Sequence, residues 1–130
     1  MMATTRWDAA DPALPADLVK GAYAISGLFD LMPMLQFSFN ADIRLDAASA
    51  KAMSPVEHQP PWPMPVGTAA GALESDAFRR QARLLAERWP MSVKGHLDVP
   101  GCHHLSVAEA LAEPSGELFR SVRAFVLDVD

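Results

Sequence analysis

Three short stretches hold the side chains best suited to chemistry. They are Ser26-Gly27-Leu28-Phe29-Asp30, Gly71-Ala72-Leu73-Glu74-Ser75-Asp76 and Gly101-Cys102-His103-His104-Leu105. Each follows a segment that reads as a strand, and in open α/β sheets sites form at the carboxyl ends of strands. A carboxylate after one strand and a histidine after the next can work together. The acid orients the imidazole and stabilises its protonated form, while the imidazole acts as general base. Glu74 and His104 are the first candidates for these catalytic roles. The plainer reading of Glu74 is a helix N-terminal acid favoured by the dipole. The plainer reading of His104 is a solvated loop histidine. Asp76 reads as a first-turn helix residue, and Asp30 as an alternative acid or as a tie for its own loop.

Two side chains could serve as nucleophiles. Ser26 lies in Ala24-Ile25-Ser26-Gly27-Leu28, and Cys102 lies beside the histidines. Neighbours in a tight loop rarely face each other for proton transfer, which counts against Cys102. His103 reads as a residue that shapes the pocket. His96, Cys102, His103 and His104 invite a zinc reading, but no second spaced pair or acidic ligand cluster supports it. No metal and no cofactor is therefore expected.

The elements that must position these residues can be read from punctuation and periodicity. Eleven prolines and seven glycines divide the chain. Residues 8–17 read as a loop, because Pro12 and Pro15 oppose a helix. Leu18 to Ser26 reads as a strand with both faces covered. Leu28 to Phe39 is apolar and Met-rich, a short helix interrupted near Pro33. It belongs either to the core or to the lining of an acyl or aryl pocket. Asp46 to Met53 reads as a helix capped by Asp46. Five prolines between 54 and 65 make a rigid extended connector rather than a ligand for an SH3-like partner.

A second strand is expected around Met64 to Thr68, followed by a loop over Ala69 to Leu73. Asp76 to Trp89 is the clearest helix, with Phe78, Ala82, Leu85 and Trp89 on one stripe. Met91 to Val99 alternates like an edge strand. Ser106-Val107-Ala108-Glu109 matches a capping box. Ser115 then caps a terminal helix carrying Leu118, Val122, Phe125 and Val126. The order predicts an α/β fold with about three parallel strands and crossover helices. Three parallel strands make a very small sheet, and the first reads as a central strand. An unpaired central strand would template pairing with another chain, so self-association through the sheet edge is expected.

Composition narrows the function classes. The 130 residues are 50% hydrophobic and 21% charged, with 11 basic against 16 acidic side chains and a net charge of −5. Lys and Arg are scattered, which argues against a nucleic-acid partner. No apolar run approaches the ~20 residues needed to span a bilayer, and the start lacks a secretory signal pattern. A single cysteine excludes an internal disulfide and suits a reducing, cytoplasmic setting.

The segments Ser26-Gly27-Leu28-Phe29-Asp30-Leu31, Ser54-Pro55, Gly71 to Gln81 and Pro100-Gly101-Cys102-His103-His104 occur in an order and spacing that resemble a known family. They resemble the C-terminal half of α/β-hydrolases, in the kynurenine formamidase-like (arylformamidase) branch of esterases. The resemblance runs from about Leu14 to Phe125. It implies that Glu74 is the triad acid and His104 the catalytic histidine. The family's Asn-His-Phe is His103-His104-Leu105 here. The Gly-x-Ser-x-Gly elbow and the His-Gly-Gly oxyanion loop are absent. The resemblance therefore implies a single partial domain over residues 1–130, without its nucleophile-bearing half. It implies an internal start or a truncated gene product, with Met1 to Thr4 as the tail of the helix after the elbow.

The expected function is a fragment of a serine hydrolase of carboxylesterase or arylformamidase type. It would be inactive alone and would act on a small ester or formamide once completed. The alternatives are a non-catalytic interaction module or decayed product, and an independent small hydrolase using Ser26 or Cys102.

Overall fold

The computed structural model describes residues 1–129. A 3-10 turn over Met2–Thr4 leads into α1 (Trp7–Ala10), so part of the stretch read as a loop is helical. β1 covers Ala22–Ile25. It is shorter than expected because the chain joins the ladder only where the Ala22 N–H reaches the Pro65 carbonyl, at 3.1 Å. The Met-rich run is a 3-10 helix, Met32–Gln36, with Pro33 in its first turn. Next come α2 (Asn40–Ile43) and α3 (Ala47–Met53). Asp46 caps α3 as expected, accepting from the Ser49 N–H at 2.7 Å.

The proline-rich connector holds one 3-10 turn, Pro55–Glu57, and delivers the chain to β2 (Val66–Gly71). β2 begins two residues later than expected and ends three later. Ala69, Ala70 and Gly71 read as loop because small residues have weak strand preference. Here they are buried in the middle strand, where pairing on both sides overrides propensity. α4 (Asp76–Arg88) follows, then β3 (Val93–Val99), α5 (Ser106–Glu109) and α6 (Glu117–Asp128).

Among the described residues the architecture is α/β: one parallel sheet of three strands in the order β1-β2-β3, with helices on its faces. Ala22 pairs with Val66 and Ala69 with Leu97. Among the described residues β2 is therefore the middle strand, and β1 has one side unpaired. Side chains of opposite parity on β2 face opposite ways. Val66 enters a cluster with Phe29, Met64, Leu85 and Trp89, under α4. Ala69 enters a second cluster with Val99, Val107 and Leu118, under α5 and α6. On α6, Leu118 is buried but Val126 is exposed.

Two expected caps do not form. The Ser106 hydroxyl accepts from the His103 N–H at 2.9 Å rather than closing a box with Glu109. Ser115 bonds to the Glu113 carboxylate, and Gly116 occupies the cap of α6.

Candidate active site

The carboxyl ends of the three strands converge on Glu74. β2 ends at Gly71, and a tight turn returns the chain so that the Glu74 N–H donates to the Gly71 carbonyl at 2.9 Å. This folds the Glu74 side chain back over the end of the sheet, where it has no solvent exposure. Its Oε1 accepts from the Gly71 N–H at 3.0 Å and from the Ser26 hydroxyl at the end of β1. Its Oε2 faces His104 Nδ1 at 3.3 Å. A buried carboxylate needs donors, and Glu74 has three from three segments.

His104 arrives on the loop after β3. Gly101 turns the chain there with φ near +70°. The Leu73 N–H donates to the Cys102 carbonyl at 2.9 Å, which ties this loop to the one carrying Glu74. The approach requires Gly71: a Cβ there would lie 2.3 Å from the Cys102 carbonyl oxygen. The imidazole stacks on Phe78 of α4, with centroids 4.5 Å apart and planes at 29°.

This geometry fixes the tautomer. A carboxylate only accepts, so Nδ1 carries the proton that faces Glu74 and Nε2 presents a lone pair. The side chain is about half exposed, 54%, so a reactant can reach Nε2. The 3.3 Å separation is long for a charge-assisted bond, as is common before substrate closes a site.

His104 borders a cavity of about 690 Å³. Leu28, Pro33, Met34, Phe37, Phe39 and Phe78 supply its apolar walls. Phe37 and Phe39 stack at 5.4 Å while staying largely exposed. Within the Met-rich run only Phe29 is buried. Of the two readings left open for that run, pocket lining describes most of it.

The structure brings Glu74 and His104 together and leaves the other candidates aside. Ser26 donates to the acid, not to the histidine. Cys102 packs into the cluster with Ala69 and Val107. His103 Nδ1 accepts from the Leu105 and Ser106 N–H groups at 3.3 Å, within its own turn before α5. His96 bonds to Thr68 and faces Asp98 on β3. Among the described residues, no group of three His, Cys, Asp or Glu side chains could hold a metal. Asp30 accepts from the Met32 N–H at 2.9 Å, and its backbone is held by Gln81.

Two roles escaped the sequence reading, which took Ser26 only as a candidate nucleophile. Ser26 supports the acid, and its φ of +50° was not foreseeable from Ile25-Ser26-Gly27. Gln81 is buried on a helix face that periodicity marked only by its apolar members. A polar residue between Phe78 and Ala82 was the one available signal.

No protein-family profile and no curated protein matches the chain. A solved structure does: a protein of Silicibacter sp. TM1040 described as a "putative thioesterase". It is 35% identical, with a TM-score of 0.64, over 83% of this chain and 42% of that one. The chain thus spans less than half the length of that structure.

This finding corrects the expected identity. The neighbour is described neither as a carboxylesterase nor as an arylformamidase, and its description gives no support to the α/β-hydrolase assignment. The triad reading falls with that assignment. The expected substrate class, an ester or formamide, fails for a physical reason. Attack on an ester, a formamide or a thioester makes the same demands on an acid and a histidine, so those residues could not discriminate among them. A neighbour described as an enzyme does not support the non-catalytic or decayed alternative either.

Proposed function

We propose that the protein hydrolyses thioesters with apolar acyl groups, using His104 as general base and Glu74 as the carboxylate that orients it. One observation carries this reading: the loops after β2 and β3 place a buried acid against an accessible imidazole at the mouth of an apolar cavity. The likeness to a structure described as a "putative thioesterase" supports the choice of carbonyl.

In this scheme Nε2 takes a proton as an O–H nucleophile adds to the thioester carbon. The nucleophile is water. Collapse of the adduct breaks the C–S bond, and the imidazolium returns its proton to the departing sulfur. A thiol near pKa ~8.5 leaves readily as thiolate, so the acid step is less demanding than for an alcohol. Glu74 stabilises the imidazolium across the Nδ1 contact and prevents ring rotation.

Residues 1–130 would then be part of a wider sheet, since the matched structure is more than twice as long as the matched region. Among the described residues, no helix is long and apolar enough to cross a membrane. A cytoplasmic site of action is part of the same proposal, supported by the lone Cys102.

The test is thiol release from a short aryl-acyl thioester, followed with a disulfide dye. His104→Ala should lower turnover by about 10²–10⁴-fold, the usual share of a general base. Glu74→Gln should fall between the two. Turnover by the native protein no faster than that of His104→Ala overturns the assignment.

A further inference from the structure

α4 continues past the site as the floor of a second cavity, and that continuation carries charge. The second cavity has a volume of about 770 Å³. Pro33, Gln36, Arg80 and Gln81 line both cavities, so the two share a wall. Arg83 lines the second cavity one turn along the helix. Both arginines are exposed, and neither forms an ion pair among the described residues. Arg79 differs, since its guanidinium is paired with Asp76 at 2.6 Å.

The same cavity also holds two acids, Asp30 and Glu87. Asp30 accepts the Met32 N–H. Glu87 stands one turn beyond Arg83, at the far end. With a rise of ~1.5 Å per residue, Arg80 lies about 3 Å and Arg83 about 7.5 Å along the axis from Phe78, the residue that stacks on His104. Among the residues lining the cavity that His104 borders, Arg80 is the one Lys, Arg, Asp or Glu, so the wall shared by the two cavities is cationic in a chain whose net charge is −5.

We infer that Arg80 and Arg83 select thioesters bearing an anionic group, a carboxylate or phosphate a few bonds from the reacting carbonyl. The apolar cavity takes one half of the thioester, and the cationic wall holds the charge on the other or at the tip of the same half. This rests on the thioesterase reading for the identity of the ligand, but not for the recognition of its charge. Guanidinium groups suit both anions because their fork of N–H donors matches carboxylate and phosphate oxygens.

The experiment uses three ketone isosteres of one short thioester, in which CH₂ replaces sulfur. One is neutral, one carries a carboxylate on the acyl half, and one carries it on the thiol half. Affinities are measured by calorimetry on the whole protein at low salt, for the native chain, Arg80→Gln/Arg83→Gln and His104→Ala. At least one anionic isostere should bind about three- to twentyfold more tightly than the neutral one, as expected for two exposed ion pairs. The stronger of the two shows which half carries the charge. The advantage should shrink as salt shortens the Debye length, and vanish in the double arginine variant. Equal affinity for neutral and anionic isosteres, or an advantage that survives in the double variant, overturns the inference. Binding needs no turnover, so failure of the thioesterase assignment shows separately as His104-independent thiol release.

Discussion

The Ser26 hydroxyl donates to the carboxylate of Glu74, the same group that faces His104. Ser26 sits at φ +50°, a left-handed conformation that non-glycine residues adopt at a cost of roughly 1–2 kcal/mol. The contact gives that strain a purpose: it turns the chain at the end of β1 so that the hydroxyl reaches a fully buried acid.

Substitution at Ser26 separates the two contributions. Ser26→Ala removes a donor from a buried carboxylate and keeps the strained backbone. It should lower unfolding free energy by about 2 kcal/mol. Ser26→Gly loses the same donor but relaxes the backbone, so it should be the more stable variant by about 1 kcal/mol. Urea melts of both variants decide the matter. Equal stabilities would show that the left-handed turn carries no strain.

Phe78 should set the orientation of His104 without touching the reacting atoms. Aromatic stacking contributes about 0.5–1.5 kcal/mol, or two- to tenfold in a rate that depends on ring position. Phe78→Ala should therefore reduce kcat for thioester hydrolysis by about that factor. Phe78→Trp, which keeps a π face under the imidazole, should recover most of it. Loss of kcat in both variants alike would assign Phe78 to general packing.

Much of the arrangement was legible because it follows from local rules. The stripe Phe78, Ala82, Leu85, Trp89 marked α4. Asp46 announced α3, and the alternation of β3 announced an edge. That Glu74 and His104 lie close together was readable from their places after strands. The failures share a different cause. Ala69 to Gly71 became strand because two neighbours pair with them. Ser106 and Ser115 met better local partners than the caps their spacing suggested. The carbonyl chemistry was illegible because a base and its orienting acid serve several acyl substrates equally.

Acid should loosen α3 through its cap. The Ser49 hydroxyl and N–H both bond the Asp46 carboxylate, holding its pKa below the usual carboxylate range. A depressed folded pKa means stability that is present above the unfolded value and lost as pH falls through the folded one. The native protein should therefore lose melting temperature faster than Asp46→Asn as pH drops from about 5 toward 2. The two acid limbs, recorded by circular dichroism, provide the comparison. Parallel limbs would show that the cap has no titrating share in stability.

Gln81 gives the sharpest structural test, because one buried amide holds a whole loop against α4. Its Oε1 accepts from the Phe29 N–H at 2.9 Å and the Asp30 N–H at 2.8 Å, and its Nε2 donates to the Asp30 carbonyl at 2.9 Å. Phe29 also anchors the core under α4 and would bring its backbone indoors unpaired. Gln81→Met preserves length and volume while removing all three bonds. Leaving buried backbone groups without partners costs about 1–3 kcal/mol each, and relaxation of the loop toward water recovers part of that. The variant should lose about 2–4 kcal/mol in a denaturant melt. It should also speed amide hydrogen exchange at Phe29 and Asp30 more than at Thr68 in the middle strand. A variant as stable as the native chain, with slow exchange at both positions, would show that Val56 and Ser54, which also bond this loop, hold it without Gln81.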